Sequence, residues 1–116
     1  MEARNQLEIS RRLNSIYKKV YPTFKNYKKE EKYSLVVEIK ENLLKSITSM
    51  HLANFVKSKR LSHAQNAQAY FESYRELIRL AYEIGVAQGK FIVDIEEQNE
   101  IVSRMMVGYI KSATKK

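Results

Sequence analysis

Cysteine is absent from this sequence of 116 residues. Its absence excludes disulfide bonds, zinc sites with thiolate ligands, iron–sulfur clusters and cysteine nucleophiles. Glycine and proline are scarce, with three residues and one. Helix interiors disfavour both residue types by about 1–3 kcal/mol, whereas β-hairpins rely on glycine-bearing turns. The scarcity therefore favours helices over sheets.

Long apolar runs are also missing. No run approaches the ~20 residues that cross a bilayer, and the first residues lack the apolar core of a signal peptide. We therefore expect a soluble, cytoplasmic protein that does not associate with membranes.

The charge is strongly one-sided. Lysine and arginine number 21 against 13 aspartates and glutamates, which gives a net charge of +8 and a pI near 9.7. Such an excess favours binding to polyanions, either nucleic acid or an acidic protein surface. The alternative is that the charge only keeps the protein soluble.

Apolar residues repeat at helical spacing in four segments, and no alternating strand pattern competes with them. The predicted helices cover residues 4–26, 30–58, 63–84 and 88–113. Their links are short, so the sequence predicts an all-α, antiparallel, up-down-up-down four-helix bundle that forms a single domain over residues 1–116. Pro22 can kink the end of the first helix, and Gly85 suits the left-handed residue that commonly ends a helix.

Each predicted helix has an apolar stripe that we expect to form the core. The stripes are Leu7, Leu13, Ile16, Val20 and Phe24; Val36, Ile39, Leu43, Ile47 and Met50; Ala67, Phe71, Tyr74, Ile78 and Ala81; and Phe91, Ile95, Val102, Met105 and Tyr109. The eight tyrosines exceed what one bundle core can hide, and Tyr17, Tyr21, Tyr70 and Tyr82 fall outside the main stripes. Surplus amphipathic aromatics are typical of interfaces, so we expect a homo-oligomer; simple exposure of the tyrosines is the alternative.

Catalytic and metal-binding patterns are missing. His51 and His63 are the two histidines, and neither has a neighbour at the spacing of a metal site. The sequence has no glycine-rich phosphate loop, no nucleophile elbow and no Glu-x-x-His motif of a di-metal bundle. We therefore expect a binding protein without catalytic residues, metal or cofactor.

The basic residues are the most informative. One group lies at the end of the first helix and in the link after it: Lys18, Lys19, Lys25, Lys28, Lys29 and Lys32. A second group, Lys57, Lys59 and Arg60, occupies the next link, at the opposite end of an up-down bundle. A charge spread along the bundle suits sequence-tolerant binding to a nucleic-acid backbone. Four tyrosines interleave with the first group and could stack on unpaired bases, unless they pack within the bundle: Tyr17, Tyr21, Tyr27 and Tyr33.

Arg75 and Arg79 lie one turn apart at the border of the third apolar stripe. One interpretation is local ion pairing with Glu72, Glu76 or Glu83. The other is a partner surface or oligomer pore, where guanidinium groups bind phosphate or carboxylate in a bidentate manner.

Several segments resemble the accessory variability determinant (Avd) family of diversity-generating retroelements. They are YKKVYP at 17–22, NYKKEEKYSL at 26–35, LIRLAYEIG at 77–85 and RMMVGYIKS at 104–112. The resemblance extends over residues 13 to 112. It implies a homopentameric barrel of four-helix bundles that binds the retroelement's reverse transcriptase and template RNA and supports mutagenic cDNA synthesis by that enzyme.

The resemblance also suggests contact residues. Arg75 and Arg79 match basic positions of the family's third helix and are the first candidates for partner contacts, whereas the lysines are candidates from charge alone. Binding to DNA is left open. The alternatives are a related four-helix-bundle protein of ribosomal-RNA intervening sequences, or a structural bundle that binds only proteins.

Overall fold

The computed structural model describes the backbone of residues 2–87 and 89–114 and the side chains of residues 7–87 and 89–114. These residues are helical and contain no strand, as predicted. The α-helices are α1 (Glu2–Val20), a short α2 (Lys29–Lys32), α3 (Leu35–Phe55), α4 (Arg60–Glu83) and α5 (Gly89–Thr114), with 3₁₀ helices at Tyr21–Asn26 and Lys57–Lys59.

The four long helices lie side by side in a body measuring 46 × 24 × 19 Å. Both α1 and α4 pack against α3 and α5. The Ser46 hydroxyl donates to the Ala67 carbonyl at 2.8 Å, and Arg60 Nε donates to the Ala53 carbonyl at 3.1 Å. Because the later residue of α3 meets the earlier residue of α4, these helices are antiparallel. The arrangement is compatible with the predicted four-helix bundle.

The core follows an alternating three- and four-residue spacing along each long helix, the pattern of helices packed in a bundle. The fully buried positions on α5, for example, are Ile95, Asn99, Val102, Met106 and Tyr109. Most predicted stripe residues are buried. The prediction for Leu7 was wrong, because Leu7 is exposed and Ile9 fills the core at that level.

The first helix is shorter than the predicted 4–26. Helix α1 ends at Val20, and the chain continues as a 3₁₀ helix with Pro22 at its start. Proline has no N–H and cannot continue the α-helical hydrogen bonds. The Thr23 hydroxyl donates to the Val20 carbonyl at 2.6 Å.

The predicted helix 30–58 is interrupted. Ser34 has φ −127° and ψ −82°, outside the helical region, and its hydroxyl donates to the Glu30 carbonyl at 3.3 Å. Such local side-chain bonds compete with helical ones, so the short α2 precedes α3. At the other end Val56 is extended with ψ 90°, and α4 begins at Arg60, three residues earlier than predicted.

Gly85 ends α4 as predicted, with φ +83°. The N–H of Val86 donates to the Ala81 carbonyl at 2.9 Å, and the N–H of Gly85 donates to the Tyr82 carbonyl at 3.0 Å. This pair of bonds is the Schellman motif that closes many helices. The fourth predicted helix begins at Gln88, which lies outside the described residues. Within the part of the chain that the structure covers, no helix is apolar over a length that could span a bilayer.

Candidate nucleic-acid and partner interface

The excess positive charge belongs entirely to the first half of the chain. Residues 1–60 contain 14 lysines and arginines against six carboxylates, whereas residues 61–116 contain seven of each. The net charge of +8 therefore lies on α1, on the segment between α1 and α3, and on Lys57, Lys59 and Arg60 after α3, whereas α3 itself has two lysines and two glutamates. Helices α4 and α5 carry balanced charge.

The first group of candidate lysines surrounds the end of α1 and the short α2. Lys18 and Lys19 form the last turn of α1, where cations interact favourably with the helix dipole, and both are exposed. Lys28, Lys29 and Lys32 are exposed on and beside α2. Lys19 differs from Lys18 because it lines a depression shared with Asp94 and Glu97 of α5. Since those carboxylates offset its charge, Lys18 is the freer of the two for an outside anion.

The second group lies at the far end of α3. Lys57 and Lys59 are exposed in the 3₁₀ helix after it. Arg60 is half-buried, and its bond to the Ala53 carbonyl satisfies a free acceptor at the C-terminus of α3. Helix α3 has 21 residues, so at 1.5 Å per residue the two groups are about 30 Å apart. The structure thus leaves the two groups at opposite ends of α3.

Arg75 is held within the chain by three carboxylates. Its side chain is only 12% exposed, and its guanidinium lies 3.6 Å from Glu72, 3.4 Å from Glu96 and 3.2 Å from Glu100. Glu72 is the neighbour on α4 that local pairing predicts, whereas Glu96 and Glu100 come from α5. Arg75 therefore joins α4 to α5.

Arg79 is more accessible than Arg75. Its side chain is 48% exposed and pairs with Glu76 at 3.0 Å and with Glu96 at 3.7 Å. Exposed pairs of this kind contribute about 0–1 kcal/mol, so an outside carboxylate or phosphate could replace them at little cost. The two arginines are one turn apart but occupy different environments.

The Arg75 pairs continue into the core as a chain of hydrogen bonds. The buried Tyr74 hydroxyl donates to Asn99 Oδ1 at 3.2 Å, and Asn99 Nδ2 donates to Glu96 Oε1, also at 3.2 Å. Burial raises the pKa of Tyr74 well above its ordinary value, despite the bond to Asn99. Hydrogen bonding to Arg104, and then to Arg75, lowers the pKa of Glu100.

Sequence reasoning missed this network. Its one available signal was Asn99, a polar residue at the core spacing set by Ile95 and Val102. A polar residue at such a position is retained where it finds a partner, and here that partner is Tyr74.

The four tyrosines considered for base stacking differ in how far their side chains are exposed to solvent. Tyr27 is only 5% exposed, so it packs inside the bundle and the stacking interpretation was wrong for it. Tyr17 is half-buried. Tyr21 is 49% exposed and Tyr33 is 77% exposed. The structure therefore leaves Tyr21 and Tyr33 as the accessible rings of this group.

Metal-binding clusters do not occur in the described part of the chain: no group of three or more His, Asp or Glu side chains there could hold an ion. The His51 ring stacks on the exposed Phe55 ring, with centroids 6.0 Å apart. The chemistry available on the surface is ionic contact, hydrogen bonding and aromatic stacking.

Comparison with protein families gives a match over most of the sequence. A family model described as bAvd-like matches residues 7–113, which is nearly the whole chain. Comparisons with curated proteins and with solved structures gave no match. Because this match covers far more than half of the chain, the chain belongs to the bAvd-like family.

Proposed function

We propose that this protein is a non-catalytic accessory subunit of a diversity-generating retroelement, which binds the reverse transcriptase and its template RNA in the cytoplasm to support mutagenic cDNA synthesis. Membership of the bAvd-like family supports this proposal. The observation that carries it is the division of charge: the whole excess lies within residues 1–60, while Arg75 and Arg79 of α4 are already paired with carboxylates. The polymerisation chemistry belongs to the reverse transcriptase.

The RNA contacts are proposed for the exposed lysines of the two groups and for the half-buried Arg60 beside the second group. Lysine ammonium groups bind backbone phosphates as point charges without reading sequence. Groups about 30 Å apart would track a strand along the protein, and DNA would satisfy the same contacts. The proposed contact residues are Lys18, Lys19, Lys28, Lys29, Lys32, Lys57, Lys59 and Arg60.

The reverse transcriptase is proposed to contact the α4–α5 face. Arg79 is the better placed arginine for a direct contact, because half of its side chain is exposed and its pairs are weak. Arg75 contributes indirectly, since it holds Glu96 and Glu100 and thereby fixes the face that Arg79 presents.

A homopentamer is the proposed assembly. A closed ring of five requires two different surfaces on each subunit to meet. Two depressions support this. One lies between α3 and α4 and is lined by Tyr33, Val37, Leu80 and Ile84, and the other lies on α5, where Val93 and Ile101 are surrounded by Glu96, Glu97, Glu100 and Arg104. Each exposes large apolar side chains, which are typical of interaction sites.

Native mass spectrometry tests the assembly. The proposal predicts five times the 13.7 kDa chain mass. Leu80→Asp and Val93→Asp should each dissociate the ring by placing a charge in an apolar contact. Val107→Asp, at an exposed apolar position of α5 outside that depression, is the matched control and should leave the mass unchanged. A monomeric wild-type chain would refute the pentamer.

Co-purification tests the accessory role. The chain should be retained by a tagged reverse transcriptase from a diversity-generating retroelement and should bind that element's template RNA in a salt-dependent manner. Arg75→Ala combined with Arg79→Ala should weaken retention while the chain remains helical. Arg79→Ala alone is the second variant, because the pairs of Arg79 contribute little to stability. If it also weakens retention, the loss reflects a direct contact with the enzyme and not a less stable fold. Wild-type protein that binds neither the enzyme nor the RNA would refute the proposal.

A further inference from the structure

An aromatic cluster lies where α1 ends. The Tyr17 and Tyr21 rings pack edge to face, with centroids 5.8 Å apart and planes at 83°. Phe24 lies 6.5 Å from Tyr21, and the buried Tyr27 lies 5.9 Å from Phe24. Because Phe24 and Tyr27 belong to the core, they hold the Tyr21 ring in place. A half-exposed ring with ordered neighbours loses little conformational entropy when a ligand binds.

A lysine from another helix completes the cluster. Lys40 of α3 places its ammonium 5.2 Å from the Tyr21 ring centroid and 5.4 Å from that of Phe24. These are cation–π distances. Lys40 is half-buried. Lys18, three residues before Tyr21, and Lys25, four residues after it, are exposed. A partly exposed aromatic ring therefore contacts one ammonium group, and two exposed lysines lie within four residues of it in the sequence.

We propose that Tyr21 is a stacking platform for an unpaired base of single-stranded nucleic acid, with the adjoining phosphates bound by Lys18, Lys25 and Lys40. The proposal rests on the nucleic-acid part of the proposed function and assigns it a site. A single strand offers a free base face and negative charge together, which match the ring and the ammonium groups. A duplex keeps its bases stacked on each other and offers only the charge.

Tyr33 is the contrasting case. It is more exposed than Tyr21, but it lines an apolar depression whose rim carries the carboxylates of Glu31 and Glu38. Carboxylates repel the phosphates that accompany a base. Tyr21 is therefore the favoured platform, even though Tyr33 has the larger accessible ring.

Fluorescence anisotropy of labelled RNA tests the platform. The probes are an oligouridine of about twelve nucleotides, within the usual range of single-strand site sizes, and a duplex of the same length. Tyr21→Leu should weaken single-strand binding about tenfold, as expected for the loss of one stacked base, and should change duplex binding by less than about twofold. Tyr21→Phe keeps the ring and should bind the single strand as the wild type does.

Tyr33→Leu is the comparison variant. Because Tyr33 also lines the depression proposed for assembly, native mass spectrometry first checks that its assembly is unchanged; both affinities should then equal those of the wild type. Lys40→Gln should lower the slope of log affinity against log salt by about 0.7 for the single strand, and this variant decides the question if Tyr21→Leu loses helicity. Any one of three results would overturn the platform. The first is that Tyr21→Leu loses affinity equally for both probes. The others are a loss of affinity for Tyr33→Leu as large as for Tyr21→Leu, and an unchanged salt slope for Lys40→Gln. If the wild type binds both probes and every variant binds them equally well, the platform is refuted but the proposed function is not. If the wild type binds neither probe, the RNA part of the proposed function is refuted as well.

Discussion

Replacing Arg75 with methionine should destabilise the fold by about 2 kcal/mol. Methionine keeps most of the apolar stem but removes the charge that pairs with Glu72, Glu96 and Glu100. Breaking a fully buried pair costs about 3–5 kcal/mol, and losing an exposed pair costs about 0–1 kcal/mol. The three carboxylates are 28–45% exposed and can regain water, so the cost lies between these limits.

Urea unfolding followed by far-ultraviolet circular dichroism measures this effect. A change of about 2 kcal/mol corresponds to about 8 °C in the melting temperature for a domain of this size. Arg79→Met is the matched control, with a predicted cost below about 0.5 kcal/mol, because its pairs are exposed. The reasoning fails if Arg75→Met unfolds at the wild-type urea concentration, or if the two arginine variants are equally destabilised.

Three further predictions follow from single contacts. Gly85→Ala should cost about 1 kcal/mol of stability, because φ is +83° there. Gly108→Ala should stabilise by about 0.5–1 kcal/mol, because the position is helical and exposed and nothing lies within 4 Å of the added carbon. Urea unfolding should therefore give changes in stability of opposite sign for the two variants. The lowered pKa of Glu100 means that the stability from its ion pairs is present at neutral pH and is lost as the pH falls below about 4.5, the ordinary value for a glutamate. Glu100→Gln should therefore unfold with a flatter acid dependence than the wild type; an identical dependence would count against the pairing. The raised pKa of buried Tyr74 means that stability is retained below about pH 10 and lost above it. Tyr74→Phe should cost about 1 kcal/mol at neutral pH, because Asn99 loses a hydrogen-bond donor. In unfolding curves measured over a pH series, this variant should lose less stability at alkaline pH than the wild type.

Local signals predicted the features that depend on neighbouring residues. The spacing of apolar residues predicted the number of long helices. Gly85 predicted the end of α4, because that end depends on the backbone φ of Gly85 alone. The end of α1 was misplaced because Pro22 changes an α-helix into a 3₁₀ helix within one turn. The break at Ser34 had a weaker signal, since serine is tolerated within many helices.

Long-range contacts could not be predicted in the same way. The partners Glu96 and Glu100 of Arg75 depend on the register between α4 and α5, which no local pattern encodes. The approach of Lys40 to Tyr21 depends likewise on how α3 lies against α1. Sequence reasoning therefore identified Arg75 and Tyr21 as notable residues, and the structure assigned one to an internal ion-pair network and the other to an accessible surface.

The most direct test of the central claim compares two variants of equal net charge. One replaces four basic residues of the first half by glutamine: Lys18, Lys25, Lys28 and Lys32. The other replaces four of the second half: Arg79, Lys90, Arg104 and Lys111. Because each variant loses four positive charges, any effect of net charge alone is the same in both.

The measurement is the slope of log affinity against log salt for a single-stranded RNA of about twenty nucleotides. If the excess charge of residues 1–60 binds the RNA backbone, the first variant should lose up to about 3 from this slope, since each released phosphate contact contributes about 0.7. The second variant should lose less than about 1. Equal losses in the two variants would contradict the account.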